Sequence, residues 1–274
     1  MAGAADTGDG VTAGPDDAVS AGDKFPPLSV VIPTYKEAKR LPATLREIIG
    51  YLERRFTAFE ILVVDDNSSD GTVAAALAED GGRGIVHVLT QPGRLGKGAA
   101  VRRGCMAARH DRILFMDADH ATPIEEVELM LAQLPENGVT VGVRTYQEDE
   151  AKWRRIIGLC AQLLAHLVVF EKPVIDSQCG FKLFTAAAVR QVFPRCRTNG
   201  GMIDVELFFL IHKFSVPCRY QPVHWVNKAG SKVSVLRSVI FDSLDMVRIR
   251  SRNMIGLYDR PLTEAEQPWS RLKE

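Results

Sequence analysis

Residues 28–66, LSVVIPTYKEAKRLPATLREIIGYLERRFTAFEILVVDD, contain two strand patterns with a helical pattern between them. LSVVIP (28–33) and EILVVDD (60–66) are short apolar runs, typical of strands buried on both faces of a sheet. The segment between them repeats apolar residues at helical spacing, on the face formed by Leu41, Leu45, Ile48, Ile49 and Leu52. This order predicts a right-handed crossover onto a parallel sheet.

The same alternation continues as far as residue 144. Three further apolar runs predict strands over 84–89, 112–119 and 138–144. Three segments beside them predict helices: NSSDGT (67–72) begins one, and GKGAAVRRGCMAA (96–108) and PIEEVELMLAQL (123–134) contain the others. The chain is therefore predicted to have an α/β fold with a mostly parallel central sheet flanked by helices.

Composition indicates an ordinary globular protein. The 274 residues are 46% hydrophobic and 25% charged, which is enough apolar material for one large core. Lys+Arg and Asp+Glu number 34 each, so the net charge of zero gives no reason to expect a nucleic-acid partner. Residues 1–27 are rich in Ala, Gly and Asp without periodicity, which predicts a disordered tail. They lack the basic start and apolar stretch of a secretory signal, so a cytoplasmic location is expected.

Four acids fall at predicted strand ends, namely Asp65, Asp66, Asp117 and Asp119. Ligands of parallel sheets bind at the carboxyl ends of the strands. Asp117 and Asp119 could offer hard oxygen ligands to Mg²⁺ or Mn²⁺ and leave other positions for the phosphates of a nucleotide. In the alternative interpretation, Asp119 caps the helix near Pro123 and Asp117 is a solvated loop residue.

Four motifs in a fixed order resemble the inverting family 2 glycosyltransferases of the GT-A fold: VVIPTYKEAKRLPATL (30–45), VVDDNSSDGT (63–72), GKGAAVRRG (96–104) and MDAD (116–119). Three later motifs resemble the dolichyl-phosphate glucosyltransferase branch and related polyprenyl-phosphate sugar synthases: DSQCGFKLFTAAAV (176–189), IDVELFFLIHKF (203–214) and HWVNKAGSKVSVL (224–236). The resemblance covers about residues 28–255. It implies a Rossmann-like GT-A domain with amphipathic helices added at its C-terminal end.

The resemblance implies which residues meet the sugar donor. Pro33, Tyr35 and Glu37 would lie against the nucleotide base and ribose, and Asp66 at the edge of the base. Lys97, between two glycines, would contact the donor. Each residue taken alone also has a structural explanation: Pro33 ends a strand, Tyr35 packs, and Glu37 and Lys97 begin helices.

The two residues after Asp119 indicate which nucleotide the sugar donor carries. Polyprenyl-phosphate mannose synthases have Leu-Gln there, and the glutamine helps to hold the metal, whereas this chain has His120 and Ala121. This difference favours a UDP-sugar over GDP-mannose. His120 could be a metal ligand, but its side-chain direction favours a solvated position.

Basic residues are predicted to hold the acceptor. Arg144 and one of Arg154 or Arg155 would bind the phosphate of a polyprenyl lipid, and Lys232 of AGSK would stabilise the departing UDP. Because a phosphate acceptor is already ionised, it requires no strong general base.

Three further acids lie inside the matched motifs and are assigned to substrate binding: Asp176, Asp204 and Glu206. Asp204 and Glu206 are two apart on a predicted helix, so they cannot face the same way. If the acceptor were a hydroxyl group instead, a base would be required, and Asp204 would be the candidate.

Two segments are candidates for contact with a membrane. KWRRIIGLCAQLLAHLVVF (152–170) is basic and then apolar, but too short to span a bilayer, which takes about 20 residues. SKVSVLRSVIFDSLDMVRIRSRNMIG (231–256) has an apolar stripe beside basic residues that anionic lipids would attract. Both could equally be helices docked on the core. A peripheral protein, or one recruited by an integral membrane partner, is expected.

The predicted organisation is a tail (1–27), a GT-A domain (28–260) and a polar C-terminal tail (261–274). The domain would comprise a nucleotide-sugar half (28–144) and an acceptor-binding, membrane-facing half (145–260). The predicted function is inverting, metal-dependent transfer of glucose or a related hexose or N-acetylhexosamine from a UDP-sugar to polyprenyl phosphate. The alternatives are a soluble glycosyltransferase with a water-soluble hydroxyl acceptor and a non-catalytic, nucleotide-sugar-binding regulatory protein.

Overall fold

The computed structural model describes residues 24–145, 169, 176, 178–226 and 235–263, with the backbone alone for 235–242. Several predicted features lie outside these ranges. They are Arg154, Arg155 and Lys232, almost all of the apolar run at 152–170, and most of the two predicted tails.

Seven strands form one sheet in the order β3-β2-β1-β4-β6-β5-β7. Their bounds are β1 Leu28–Thr34, β2 Phe59–Asp65, β3 Val86–Thr90, β4 Arg112–Met116, β5 Val139–Thr145, β6 Phe181–Thr185 and β7 Cys218–His224. Strands β1 to β4 are parallel to one another, and β7 is parallel to β5. The prediction of an α/β fold with a mostly parallel sheet is confirmed.

Strand β6 is the antiparallel member, and it lies between β4 and β5. Neither β6 nor β7 was predicted, because β6 is short and has a lysine in its second position, and β7 is mostly polar and only partly buried. The insertion of β6 brings the turn before it, at residues 178–180, beside the carboxyl end of β4. There the Asp117 N–H donates to the Gly180 carbonyl at 3.1 Å.

The described residues contain seven α-helices, in the order α1 Leu41–Arg55, α2 Thr72–Asp80, α3 Lys97–Ala107, α4 Val127–Ala132, α5 Ala186–Val192, α6 Ile203–Lys213 and α7 Val235–Met254. Helix α1 buries the predicted face at Leu41, Leu45, Ile48, Ile49 and Leu52. It begins four residues later than Glu37. Arg40 and Leu41 donate to the Glu37 carbonyl in the turn before the helix, but Pro42 has no N–H to continue that pattern.

The helices cover both faces of the sheet. Val31 of β1 packs in a core cluster with residues of α3 and α6, whereas Val30 and Ile32 pack in a second cluster with residues of α1 and α4. This alternation is the side-chain period of a strand buried on both faces. In the part of the chain that the structure describes, no helix is both long and apolar enough to cross a bilayer.

Candidate active site

A pocket opens at the carboxyl ends of β4 and β5, where β6 separates the two strands. It is lined by ten residues, among them Asp117, Asp119, Arg144, Gln178, Gly180 and Trp225. The Val226 N–H donates to the Ala121 carbonyl at 2.9 Å and so ties the end of β7 to the loop after β4. The fold thus brings the predicted metal ligands and the predicted acceptor arginine into one cavity.

Asp117 follows β4 directly and is held from two sides. A Cβ atom at Gly180 would lie 1.9 Å from Asp117 Oδ2, so no larger residue fits at Gly180 with the carboxylate in this position. Lys97 Nζ lies 2.8 Å from Asp117 Oδ1. The Asp117 side chain nevertheless remains 37% exposed, which leaves it accessible to a ligand.

Lys97 is the first residue of α3 and reaches into the same site. Its ammonium also lies 3.9 Å from Asp204 Oδ2 on α6. Burial lowers the pKa of Lys97, but the charges of Asp117 and Asp204 raise it by more, so that the net shift is upward and the group stays charged. Lys97, which was predicted to contact the donor, therefore places a fixed positive charge beside the acid pair.

Asp119 does not cap the helix that follows. Its Oδ1 accepts from the Ala121 N–H at 3.1 Å in a local turn, and the 3₁₀ turn at Ile124–Glu126 has no side-chain cap. The structure therefore contradicts the interpretation of Asp119 as a helix cap.

The solvated position expected for His120 is wrong. The residue has a φ of 53°, in the left-handed region, and only 5% of it is exposed. Its Nε2 accepts from the Ile124 N–H at 3.2 Å, which leaves the proton on Nδ1, 3.1 Å from Glu47 Oε2. The ring therefore lies in the interior, beside Glu47 of α1.

The chemistry of the acid pair fits a hard divalent cation. Asp117 and Asp119 are both partly exposed and offer only oxygen atoms, which suit Mg²⁺ or Mn²⁺. Among the described residues, no group of three or more His, Cys, Asp or Glu side chains could hold a metal ion. A cation at this pair would need further ligands besides the two carboxylates.

Arg144, on β5, is oriented by Asp176. Its Nε and Nη2 donate to the two carboxylate oxygens at 2.8 and 3.0 Å, and its guanidinium lies 5.5 Å from the centre of the Trp225 ring. Burial raises the pKa of Asp176, but the hydrogen bonds and charge of Arg144 lower it by more, so the carboxylate stays ionised. Arg144 thus lines the pocket, and Asp176 lies behind it as its partner.

The residues predicted to bind the nucleotide lie at the ends of β1 and β2. The partly buried Pro33 is the penultimate residue of β1, and Glu37 pairs with Arg40 at 2.7 Å. The Arg94 guanidinium lies 4.2 Å from the centre of the Tyr35 ring. Arg94 was not predicted as a site residue.

Asp66 is buried at the end of β2 and fixes the loop that leads to Lys97. Its carboxylate accepts from the Leu95 N–H at 2.7 Å and from the Gly96 N–H at 3.0 Å. The structure thus connects Asp66 to the position of α3.

Asp204 and Glu206 face different partners, as predicted. Asp204 is almost fully buried, and its Oδ1 accepts from Lys182 Nζ at 2.7 Å. Lys182 was missed, although a lysine inside the apolar run FKLF was a usable signal. Glu206 lies apart from the pocket. It accepts from the backbone of Arg197 and Thr198 and from the Tyr258 hydroxyl.

Comparison with known proteins agrees with the geometry. The model of the family described as "Glycosyl transferase family 2" matches residues 29–193. A dolichyl-phosphate beta-glucosyltransferase of Drosophila melanogaster is 35% identical over 251 residues, which cover 84% of this chain and 76% of the relative. The human dolichyl-phosphate beta-glucosyltransferase is 34% identical over 250 residues, covering 84% and 77%.

Solved structures share the fold. Glucosyl-3-phosphoglycerate synthase from Mycobacterium tuberculosis, crystallised with Mn²⁺, UDP and glucosyl-3-phosphoglycerate, superposes with a TM-score of 0.61 at 19% identity, over 85% of this chain and 80% of that one. Mannosyl-3-phosphoglycerate synthase from Rubrobacter xylanophilus gives a TM-score of 0.58 at 18% identity, over 86% and 77%. The architecture described above is therefore the GT-A fold.

Proposed function

The chain belongs to glycosyl transferase family 2, and we propose that it transfers glucose from UDP-glucose to dolichyl phosphate or a closely related polyprenyl phosphate. The observation that carries the proposal is the shared pocket of Asp117, Asp119 and Arg144. One pocket with an acid pair and an arginine suits a donor diphosphate bound through a cation next to an acceptor phosphate. The relatives named as dolichyl-phosphate beta-glucosyltransferases support this substrate pair.

The donor side is proposed to run from Tyr35 to Lys97. Pro33, Tyr35 and Glu37 would meet the uridine, Asp66 would lie at the edge of the base, and the Lys97 ammonium would face the diphosphate. The neighbour crystallised with UDP and Mn²⁺ supports a UDP-sugar and a divalent cation. When bound to Asp117 and Asp119, Mg²⁺ or Mn²⁺ would act as a Lewis acid toward the departing diphosphate.

The acceptor phosphate is proposed to bind at Arg144. Asp176 takes the Nε–Nη2 edge of the guanidinium and holds the group in place, so its orientation toward a phosphate is preorganised. Arg154 or Arg155 would add a second contact, and Lys232 would stabilise the departing UDP. In-line attack by a phosphate oxygen would form a bond to the anomeric carbon as the bond to UDP breaks, which inverts the configuration.

The surroundings of Asp204 agree with an acceptor that requires no base. Asp204 is 2% exposed and is paired with the Lys182 ammonium at 2.7 Å. A hydroxyl acceptor would require an accessible base, so the buried state of Asp204 weighs against the soluble alternative.

Contact with the cytoplasmic face of a membrane is proposed through helix α7 and the turn after it. Their exposed apolar residues are Leu244, Val247, Met254 and Ile255. Arg248 is exposed beside them, with 60% of its side chain in solvent. A helix of this kind can lie in the headgroup region of anionic lipid. Direct binding is the simplest arrangement, and a membrane partner would be the alternative route.

The test is transfer by the purified full-length chain. Labelled UDP-glucose, UDP-galactose, UDP-N-acetylglucosamine and GDP-mannose are each incubated with Mn²⁺ and dolichyl phosphate, and the products are extracted with organic solvent. Label should enter the organic phase from UDP-glucose, in β-linkage because the α-linked donor is inverted. Transfer only to a water-soluble hydroxyl acceptor, or donor binding without any transfer, would overturn the proposal.

A further inference from the structure

Four charged side chains alternate in sign from the pocket into the core. Asp117 Oδ1 lies 2.8 Å from Lys97 Nζ, and that ammonium lies 3.9 Å from Asp204 Oδ2. Asp204 Oδ1 in turn accepts from Lys182 Nζ at 2.7 Å. The outer two groups are about one-third exposed, and the inner two are buried. The pocket charges are therefore continuous with a charge pair that no substrate reaches.

Lys182 is the innermost member of this series. It lies on β6, opposite Phe115 of β4, and no part of it is exposed. Its ammonium donates to Asp204 and to the Cys179 carbonyl at 2.6 Å, and lies 5.7 Å from the centre of the Phe115 ring. A charge buried to this degree is costly unless it is paired and hydrogen-bonded. Nothing in the proposed chemistry uses it directly.

The distances show how the Asp204–Lys182 pair affects the contact of Lys97 with Asp117. Asp204 contacts Lys182 directly, whereas its separation from Lys97 is 1.1 Å longer than the Lys97–Asp117 contact, 3.9 Å against 2.8 Å. Without the Lys182 charge, Asp204 would be a buried carboxylate with a single cationic neighbour. Its attraction to Lys97 would then increase, because an uncompensated buried charge is strongly unfavourable.

Lys182 also supports the turn against which Asp117 lies. The Cys179 carbonyl that it binds precedes Gly180, whose own carbonyl accepts the Asp117 N–H. The same ammonium therefore restrains both neighbours of the pocket: Asp204 behind Lys97, and the 179–180 turn beside Asp117.

We propose that Lys182 is a positioning residue for the glycosyl transfer. By pairing with Asp204, it keeps the Lys97 ammonium in contact with Asp117 at the pocket, where the donor diphosphate would bind. The inference rests on the proposed function, because it gives Lys97 its role toward the donor. Lys182 acts through Asp204 and Lys97, and through the 179–180 turn, and it touches no substrate.

The first variant is Lys182→Met, which keeps the length of the side chain and removes its charge. Lys97 should move toward Asp204 by about 1 Å, and a displacement of this size can reduce turnover by up to about a hundredfold. We expect kcat to fall by tenfold to about a hundredfold, with the KM for dolichyl phosphate nearly unchanged. A folded Lys182→Met protein with wild-type kcat would overturn the proposal.

The decisive variant is the double change Lys182→Met with Asp204→Asn. Removing the carboxylate removes the attraction that displaces Lys97, so the double variant should recover part of the lost kcat. With a merely structural lysine, the second change would restore the unfolding free energy, because a neutral pair is tolerated better than an unpaired buried charge, but it would not restore kcat per folded molecule. A kcat of the double variant at or below that of Lys182→Met would contradict the positioning role.

Folding is controlled separately. Thermal unfolding is recorded for every variant, and Lys213→Met is the matched control, since Lys213 also pairs with an aspartate, Asp259, but lies away from the pocket. If Lys182→Met does not fold, the neutral double variant is the test, because replacing both partners of a buried pair is tolerated far better than removing one. Its kcat should lie below that of the wild type, and a wild-type value would overturn the proposal.

A crystal structure of a folded Lys182→Met or double variant separates this inference from the proposed function. In Lys182→Met, Lys97 Nζ should lie closer to Asp204 than to Asp117; in the double variant it should remain on Asp117. If the wild-type chain does not use UDP-glucose but these positions are found, the proposed function fails and the positioning role stands. Lys97 unmoved in Lys182→Met refutes the positioning role whatever the substrate.

Discussion

Asp204 and Glu206, two positions apart on α6, belong to two charged clusters that differ in what satisfies their charges. The pocket cluster contains Asp204 with Lys182, Lys97, Asp117 and Asp119, and its outer members face solvent. The junction cluster contains Glu206 with Thr198, Arg252 and Tyr258, and joins α6 to α7 and the turn after it. The Glu206 carboxylate has no exposed surface.

The difference lies in what completes each set of charges. Glu206 accepts hydrogen bonds from two backbone N–H groups and the Tyr258 hydroxyl and lies 3.3 Å from the Arg252 guanidinium, so protein atoms satisfy it. Asp117 and Asp119 keep accessible oxygens that a ligand could bind. Groups satisfied by protein stabilise the fold, whereas charges left partly open at a pocket are candidates for function. Substitutions in the two clusters should therefore separate activity from stability.

The largest expected effect is that of Asp119→Ala in the pocket cluster. Losing a ligand of the proposed cation should reduce kcat by a hundredfold or more, equivalent to about 3 kcal/mol of transition-state stabilisation. Thermal unfolding should change little, because Asp119 is partly exposed. The matched control is Asp111→Ala, an exposed acid just before the opposite end of β4. Near-normal transfer by Asp119→Ala, or wild-type transfer undiminished by EDTA, would remove the metal assignment.

The second effect belongs to the junction cluster. Glu206→Gln keeps the shape but puts an uncharged group beside Arg252 and a donor where an acceptor was, so unfolding free energy should fall by about 1–3 kcal/mol. Turnover per folded molecule should stay within about twofold of the wild type, measured well below the melting temperature. Asp259→Asn, at a half-exposed pair of the same junction, should cost at most about 1 kcal/mol. Loss of turnover without loss of stability would place Glu206 in the active site.

The smallest effect tests the outer surface of α7. Arg248 is exposed, whereas Arg252 points inward to Glu206, so Arg248→Glu tests lipid attraction without disturbing the junction cluster. At about 1 kcal/mol for each basic residue near the bilayer, binding to anionic vesicles should fall severalfold and also decline as salt rises. Arg83→Glu, an exposed arginine after α2, is the matched control. Equal vesicle binding by both variants would show that α7 is not the anchor.

Local pattern in the sequence determined much of the fold of residues 28–144. The β1, α1 and β2 segments were predicted within a few residues, because the period of apolar residues reports how one element is buried. The four acids at strand ends followed from the same pattern, since parallel strands share their carboxyl edge. The predicted spacing also separated Asp204 from Glu206, because residues two apart on a helix face different directions.

Tertiary structure alone decided the partners of these residues. The place of β6 between β4 and β5, and with it the contact of Lys182 with Asp204, depends on strand pairing between segments more than forty residues apart. The buried ring of His120 depends on a positive φ and on Glu47 from α1, and the inward direction of Arg252 depends on Glu206. Periodicity shows which face of an element is buried. The identity of the group that meets that face is set by packing between distant parts of the chain, which no local pattern records.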